Sequence, residues 1–466
     1  MEDTAAPPPP ELDPLSHDRP TPVWMLAGAA VILGFALIVR DGNYHPFSIA
    51  CVTAAIALAA WATLGPTGRP DRGAAAHVAV LLATAVLFQA ALLVARSTLP
   101  RTPRLASPLA LLPLVVAAIG AVALAKPRPW LWALLVAQLL AGVIVIRNNP
   151  QPVMDVFMFQ SDAASVMLHG KNPYAIEFPD HSHGTSPFYG PGVQEGGRLK
   201  FGFPYLPLSL LLVTPSYGLS GDVRYTHLAC VLGAAAFMGL SRPGPRATAG
   251  AALLLLAPAG LLVLSQSWTE PLVVVLLAAT VWCACRRPDL LPLALGLFLA
   301  VKQYTFLSAP LALLLVPRPW TVRKVWDVAW KAALVAVVVT LPLALWGPKA
   351  FWWSTVGVQM RQPFRTDALS YLAALANWKG VVLPAGVAFV AMVVVEVLAL
   401  LRAPRTPAGF AASVGLAFLV FFAFNKQAFA NYYYFVIGAF ACAVAAADVP
   451  SDGASADSAR VQSPPA

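Results

Sequence analysis

Apolar segments recur along almost the whole chain. They fall at roughly 23–39, 46–64, 75–95, 106–125 and 129–146, and again at 223–241, 248–264, 270–285, 290–316, 326–346, 381–401, 407–424 and 429–447. Runs of about 17–25 apolar residues are what a helix needs to cross roughly 30 Å of hydrocarbon. A bilayer offers no water to satisfy free backbone groups, so such runs predict a helical bundle. The expected fold is all-α, a polytopic membrane bundle of about 14 membrane segments.

Between the two series lies a polar interruption, from Asp155 to Pro207. It opens DVFMFQSDAASVMLHGKNPYA, continues through polar, Gly- and His-bearing sequence, and closes FGFPYLPLSLLLVTP. Apolar residues at 156, 159, 163, 166 and 167 predict an amphipathic interfacial helix, ended by His169-Gly170. The outer loop is taken as 147–203, and a second polar loop spans 347–380. Residues 1–21 and 449–466 are Pro-, Ser- and Asp-rich, the composition of disordered tails.

The cations orient the bundle. Arg242 with Arg246, Arg286 with Arg287, Arg318 with Arg323 and Lys324, and Arg402 with Arg405 mark cytoplasmic loops, whereas the turn at 265–270 carries no cation and faces out. Segment 290–316 begins and ends beside cytoplasmic clusters, so it must enter and return as two short halves, with Lys302 and Gln303 at their turn. By the same parity 204–219 is expected as short outer-face helices broken by Pro204, Pro207 and Pro215. Both termini are then cytoplasmic. Arg96, Arg101 and Arg104 depart from the pattern by falling outside. This topology gathers the loop 147–203, Glu270, Lys302 with Gln303, the loop 347–380 and Asn425-Lys426-Gln427 on one outer face. Glu396, near the cytoplasmic end of its helix, is expected to snorkel.

Composition sharpens the class. The 466 residues are 59% hydrophobic and only 11% charged, with mean hydropathy +0.70, which excludes an ordinary soluble domain. The net charge of +10 is spread through short loops rather than gathered on one face, so nucleic acid is not an expected partner. Cys51, Cys230, Cys283, Cys285 and Cys442 all lie in apolar segments and read as small buried residues. The start MEDTAAPPPP has no basic n-region, so the first helix is expected to direct insertion.

Asp155 is either a helix N-cap or a carboxylate facing a substrate. Asp162 lies two helical turns on, on nearly the same face, and is either a partner acid or part of a solvated surface. Arg361 and Arg365 fit lipid headgroups or a site, and Lys302 between half-helices fits a site. Tyr174, Tyr205, Trp268, Trp352, Trp353, Trp378 and Tyr432-Tyr433-Tyr434 read mainly as an interfacial belt, with one or two free to stack on a ligand. Asp180-His181-Ser182-His183 fits no strong zinc spacing and reads as solvated loop. No P-loop, dinucleotide fingerprint or G-x-S-x-G elbow occurs.

The order of short motifs resembles the GT-C superfamily of membrane glycosyltransferases. The pieces are Asp155, Phe159, Asp162-Ala163-Ala164, Gly170, Asn172-Pro173-Tyr174 and Tyr205-Leu206-Pro207-Leu208, followed by Glu270, the step Gly296, Leu297, Ala300, Lys302, and a late loop with Arg361 and Arg365. The chain looks most like the bacterial branch using polyprenyl-phosphate mannose, glycosyltransferase family 87 and its relatives. The resemblance covers about residues 129–447, within a GT-C-like catalytic membrane domain at 127–448; residues 22–126 are then an N-terminal four-helix addition. Many GT-C enzymes carry adjacent or once-spaced acids in the first loop, whereas here they are seven apart.

That resemblance implies an inverting transfer from a polyprenyl-phosphate sugar donor to an envelope glycan or glycolipid, at the outer face of the bacterial plasma membrane. Asp155 is the expected general base with Asp162 as the second acid; Lys302, Arg361 and Arg365 are the candidates for the donor phosphate. Asn172, Tyr174, Tyr205, Glu270 and Gln303 are the remaining substrate-binding candidates. No cofactor is expected, and no metal ligand set is indicated. The alternatives are a lipid-linked-sugar flippase, which calls for a central polar pathway and an internal repeat, and a noncatalytic membrane scaffold.

Overall fold

A computed structural model describes residues 22–65, 74–98, 108–123, 127–182, 184, 186–316, 319 and 321–447. The two expected tails, together with Arg101, Arg104, Arg318 and His183, lie outside the described residues.

The chain is helical almost throughout. The first group is α1 (Val23–Val39), α2 (Pro46–Leu64), α3 (Ala74–Thr98), α4 (Pro108–Ala123) and α5 (Pro127–Asn148). The polar interruption carries α6 (Asp155–Leu168), then a small antiparallel sheet of β1 (Phe178–Pro179), β2 (Gln194–Glu195) and β3 (Arg198–Leu199), in the order β1-β3-β2. Next come α7 (Pro207–Ser220), α8 (Arg224–Ser241), α9 (Pro245–Leu255), α10 (Gly260–Ser265), α11 (Glu270–Arg286) and α12 (Leu291–Ala300). A 3-10 helix, Gln303–Leu315, leads to α13 (Val322–Trp346), α14 (Pro348–Trp352), α15 (Val358–Arg361), α16 (Tyr371–Lys379), α17 (Gly386–Arg402), α18 (Pro407–Ala423) and α19 (Ala430–Ala446).

Among the described residues four helical spans are long and apolar enough to cross a membrane: Pro46–Leu64, Ala76–Arg96, Arg128–Asn148 and Val322–Trp346. This points to a membrane protein. Shorter apolar helices fill the interior, and α18 and α19 are buried along nearly their full length. They pack closely because small residues sit at the crossings. A Cβ added at Gly250 would stand 2.5 Å from the Ala441 carbonyl oxygen, and one at Gly415 would stand 2.5 Å from the Phe440 ring. α1 packs against α2, α3 and α19, so the first helices share the same core.

Several local features bear on the sequence reading. The expected break in 290–316 falls at Lys302, which is extended between α12 and the 3-10 helix. The stretch after Pro204 is one continuous helix rather than several pieces, with Pro207 in its first turn and Pro215 inside. Pro215 has no N–H for Leu211 O, and on either side of it the Thr226 hydroxyl donates to Leu212 O at 3.2 Å and the Thr214 hydroxyl to Leu210 O at 2.7 Å. Arg96 departs from the cation pattern because it is no free loop charge: it is 3% exposed and pairs with Asp41 at 2.6 Å. Glu396 does not snorkel. It shares the buried face of α17 with Met392 and Ala399, opposite the exposed stripe of Val393, Val394 and Val397.

Candidate functional site

α6 begins three residues after Pro152 and ends at His169, with Gly170 in the left-handed region at φ 69°. Its N-cap is Met154, whose side chain makes no capping bond, so Asp155 is the first helical residue and not the cap. The Asp155 carboxylate accepts from the Val156 amide at 2.7 Å and from the Tyr189 hydroxyl at 2.5 Å. Burial pushes its carboxyl above the usual range, opposed by those two hydrogen bonds.

A buried polar link registers α6 against the turn that leads into α11. Gln160 donates to the Ser267 carbonyl at 2.6 Å, and its own oxygen meets His227 Nε2 at 2.8 Å. Arg224, fully buried, pairs with Asp222 at 2.6 Å and donates to Asn149 O at 2.7 Å, with its guanidinium 5.1 Å from the Phe157 ring centre. Three residues past Ser267, Glu270 opens α11. It is 0% exposed, and Lys302 Nζ lies 2.5 Å from its Oε1. The Lys302 ammonium also faces three aromatic rings: Tyr205 at 5.3 Å, Tyr304 at 5.2 Å and Tyr432 at 5.5 Å. Gln303 donates to the Pro204 and Thr355 carbonyls at 2.7 and 3.1 Å.

Asp155, Tyr189, Glu270, Lys302, Gln303 and the three tyrosines around Lys302 line one cavity of about 810 Å³, with the Gln160 and Arg224 links behind its wall. Its wall continues to a second polar region around Arg365, Asp367, Lys426, Asp41 and Asn43. Arg365 forms a two-point pair with Asp367, at 2.7 and 2.5 Å, and its guanidinium stacks 3.9 Å from the Phe188 ring centre. Asp41 and Asn43 belong to the α1–α2 turn. That turn is pinned by the Asn43–Ala368 bridge, by Tyr44 N donating to Asp367 O at 2.8 Å, and by the close approach of Gly42 to Ala430. A third part of the wall is apolar, made by Leu307, Phe389, Phe421 and Phe422. Phe389, two helical turns before Glu396 on α17, is half exposed.

The cavity therefore brings together Asp155, Tyr205, Glu270, Lys302, Gln303 and Arg365. It does not include Asp162, Asn172, Tyr174 or Arg361. Asp162 shares a helical face with Asp155, but seven residues carry it about 10 Å along the axis, onto exposed surface. Asn172 Oδ1 accepts from the Tyr174 amide at 2.9 Å, and Tyr174, 1% exposed, donates its hydroxyl to Tyr205 O at 2.9 Å; both shape the loop. Arg361 is exposed and stacks on Trp353 at 4.7 Å. Tyr433 and Tyr434 are fully buried rather than in a belt, while Trp352 and Trp378 are exposed as a belt requires. Asp180 is no solvated loop residue. It is 7% exposed and accepts from Ser182 N and Oγ, Gly184 N and Gln194 Nε2, which hold its carboxyl down to about 2 against the opposing effect of burial. Among the described residues no three His, Cys, Asp or Glu side chains come together as metal ligands.

Tyr189, Asp41 and Asn43 also line the wall without having been singled out in the sequence, and Lys426, placed on the outer face by the sequence, was given no role there. Lys426 did carry a signal, as a polar triplet between two apolar helices. Tyr189 carried none, being 34 residues from the acid it binds. The chain matches no family model, no curated protein and no solved structure.

Proposed function

We propose that this chain is a membrane glycosyltransferase, taking a sugar from a polyprenyl-phosphate donor to an envelope glycan or glycolipid. The observation that carries the reading is the amphipathic cavity: a bonded carboxylate and cation-bearing polar walls share it with an apolar flank that ends at the half-exposed Phe389. A ligand with a sugar phosphate head and a hydrocarbon tail matches both halves. In this proposal the bundle crosses a bacterial plasma membrane in about 14 segments, and the cavity opens on the extracytoplasmic side.

The chemistry assigns roles to this chain's groups. An acceptor hydroxyl oxygen attacks the anomeric carbon as the bond from that carbon to the phosphate oxygen breaks. Asp155 takes the hydroxyl proton, and polyprenyl phosphate leaves with the bonding pair. A carboxylate pushed above its usual pKa is a better matched base, and such a group is worth roughly 10²–10⁴-fold. Tyr189 and the Val156 amide hold it in position. Tyr205, Glu270 and Gln303 are proposed to contact the sugar, with mannose the sugar that the resemblance favours.

The test uses membranes carrying wild type or Asp155→Asn, supplied with radiolabelled polyprenyl-phosphate mannose. Label is expected in glycolipid or glycan fractions with wild type, and roughly 100-fold less with the variant at equal insertion. Equal transfer by both removes Asp155 as the base. No transfer with mannose or other lipid-linked sugars, combined with movement of the intact lipid-linked sugar between leaflets, would favour a flippase.

A further inference from the structure

Among the described residues the cavity wall carries three cations, Lys302, Arg365 and Lys426. Their charges are not equally available. Lys302 is matched by Glu270 at 2.5 Å and enclosed by three tyrosine rings. Arg365 is matched by Asp367 through two bonds, although its Nη1 is buried without a partner. Lys426 has no carboxylate. Its ammonium donates to two backbone carbonyls, Gln362 O at 2.7 Å and Gln359 O at 3.3 Å. An ammonium has three N–H donors, so one remains along with an uncompensated charge. Burial lowers the pKa of this lysine, a cost that a bound anion would remove.

Lys426 and Arg365 are neighbours, since the Arg365 amide donates to Lys426 O at 3.2 Å. Phe421 and Phe422, on the apolar wall, lie a few residues before Lys426 at the end of α18. Phe188 stacks on Arg365, and the adjacent Tyr189 holds Asp155. A cationic seat is therefore placed between a hydrocarbon wall and the carboxylate.

We propose that Lys426, with Arg365 as its neighbour on the cavity wall, is the seat for the phosphate of a lipid phosphate whose chain lies along Phe389, Phe421 and Phe422. This rests on the glycosyltransferase reading for its role, but not for its test. The seat also reassigns the sequence-based candidates: Lys302 orders Glu270 and the tyrosines, and Arg361 lies outside.

The experiment measures binding alone, with the full chain in phosphatidylcholine nanodiscs and farnesyl phosphate as probe. Farnesol and inorganic phosphate serve as competitors. Lys426→Met is expected to weaken farnesyl phosphate about tenfold or more, the loss of one charge-assisted hydrogen bond. Lys426→Arg should retain most of the affinity, and Arg361→Ala should retain all of it. Wild-type thermal unfolding for Lys426→Met in the absence of probe checks that the fold survives. Unchanged affinity in Lys426→Met overturns the seat, as does an equal loss in Arg361→Ala. Farnesol competing as well as farnesyl phosphate removes the anion from the proposal; inorganic phosphate competing as well removes the lipid. Binding through Lys426 without any sugar transfer leaves the seat standing and rejects the transferase.

Discussion

The Glu270–Lys302 pair offers a demanding test of how the cavity is held together. Glu270 is 0% exposed, its Oε1 depends on Lys302 at 2.5 Å, and the nearest further donor, the Tyr304 hydroxyl, stands at 3.5 Å. Its Oε2 has no hydrogen-bond partner. Lys302→Met would thus leave a carboxylate in a closed, largely aromatic setting, where stranding one member of a pair costs about 3–5 kcal/mol. The same lysine loses its contacts with Tyr205, Tyr304 and Tyr432, so nothing replaces the charge. For a chain of 466 residues, at about 2.1 cal/mol/K of unfolding entropy per residue, that loss is a fall of a few degrees in apparent Tm. The double variant Glu270→Gln/Lys302→Met removes both charges and should recover at least half of the loss, since the stranded carboxylate is gone. The assay is thermal unfolding of purified protein in nanodiscs at one fixed scan rate, as membrane bundles often unfold irreversibly. A Lys302→Met loss below about 1 kcal/mol would refute the reasoning. So would a double variant no more stable than the sum of the two single losses.

Two further outcomes follow from the same geometry. Gly42, at φ 76°, has no room for a Cβ, which would stand 2.6 Å from Ala430 N, whereas Gly196, at φ 61°, faces open space. Gly42→Ala should therefore lower apparent Tm by more than Gly196→Ala, whose cost is backbone strain of about 1 kcal/mol; equal losses would disprove the docking of the α1–α2 turn. The raised pKa of Asp155 means that the folded state binds this proton more tightly than the unfolded chain does, because burial disfavours the charged form. Its contribution to stability is full below the ordinary carboxyl pKa and is lost as pH rises through the raised one. Asp155→Asn should thus stabilise the protein near neutral pH, with the gain shrinking on acidification. A variant less stable than wild type at neutral pH would contradict this.

What the sequence determined by itself was local. Apolar runs marked the helices because helix formation inside hydrocarbon depends on residues within one segment. The amphipathic period and His169-Gly170 marked α6 at Asp155–Leu168, and cation parity put the break in 290–316 at Lys302. Six candidates that line the cavity were visible as polar residues stranded in an apolar chain, where each demands a partner. Only the tertiary structure decided which partner each found. Asp155 is held by Tyr189, Lys302 is matched by Glu270, and Arg96 is withdrawn from the surface by Asp41. Tyr174 was drawn into loop packing, Arg361 stays exposed against Trp353, and Asp162 was carried away by the helical rise although its face was read correctly. The first helices contribute Asp41 and Asn43 to the wall, because a cavity is enclosed by long-range packing that no period along the chain records.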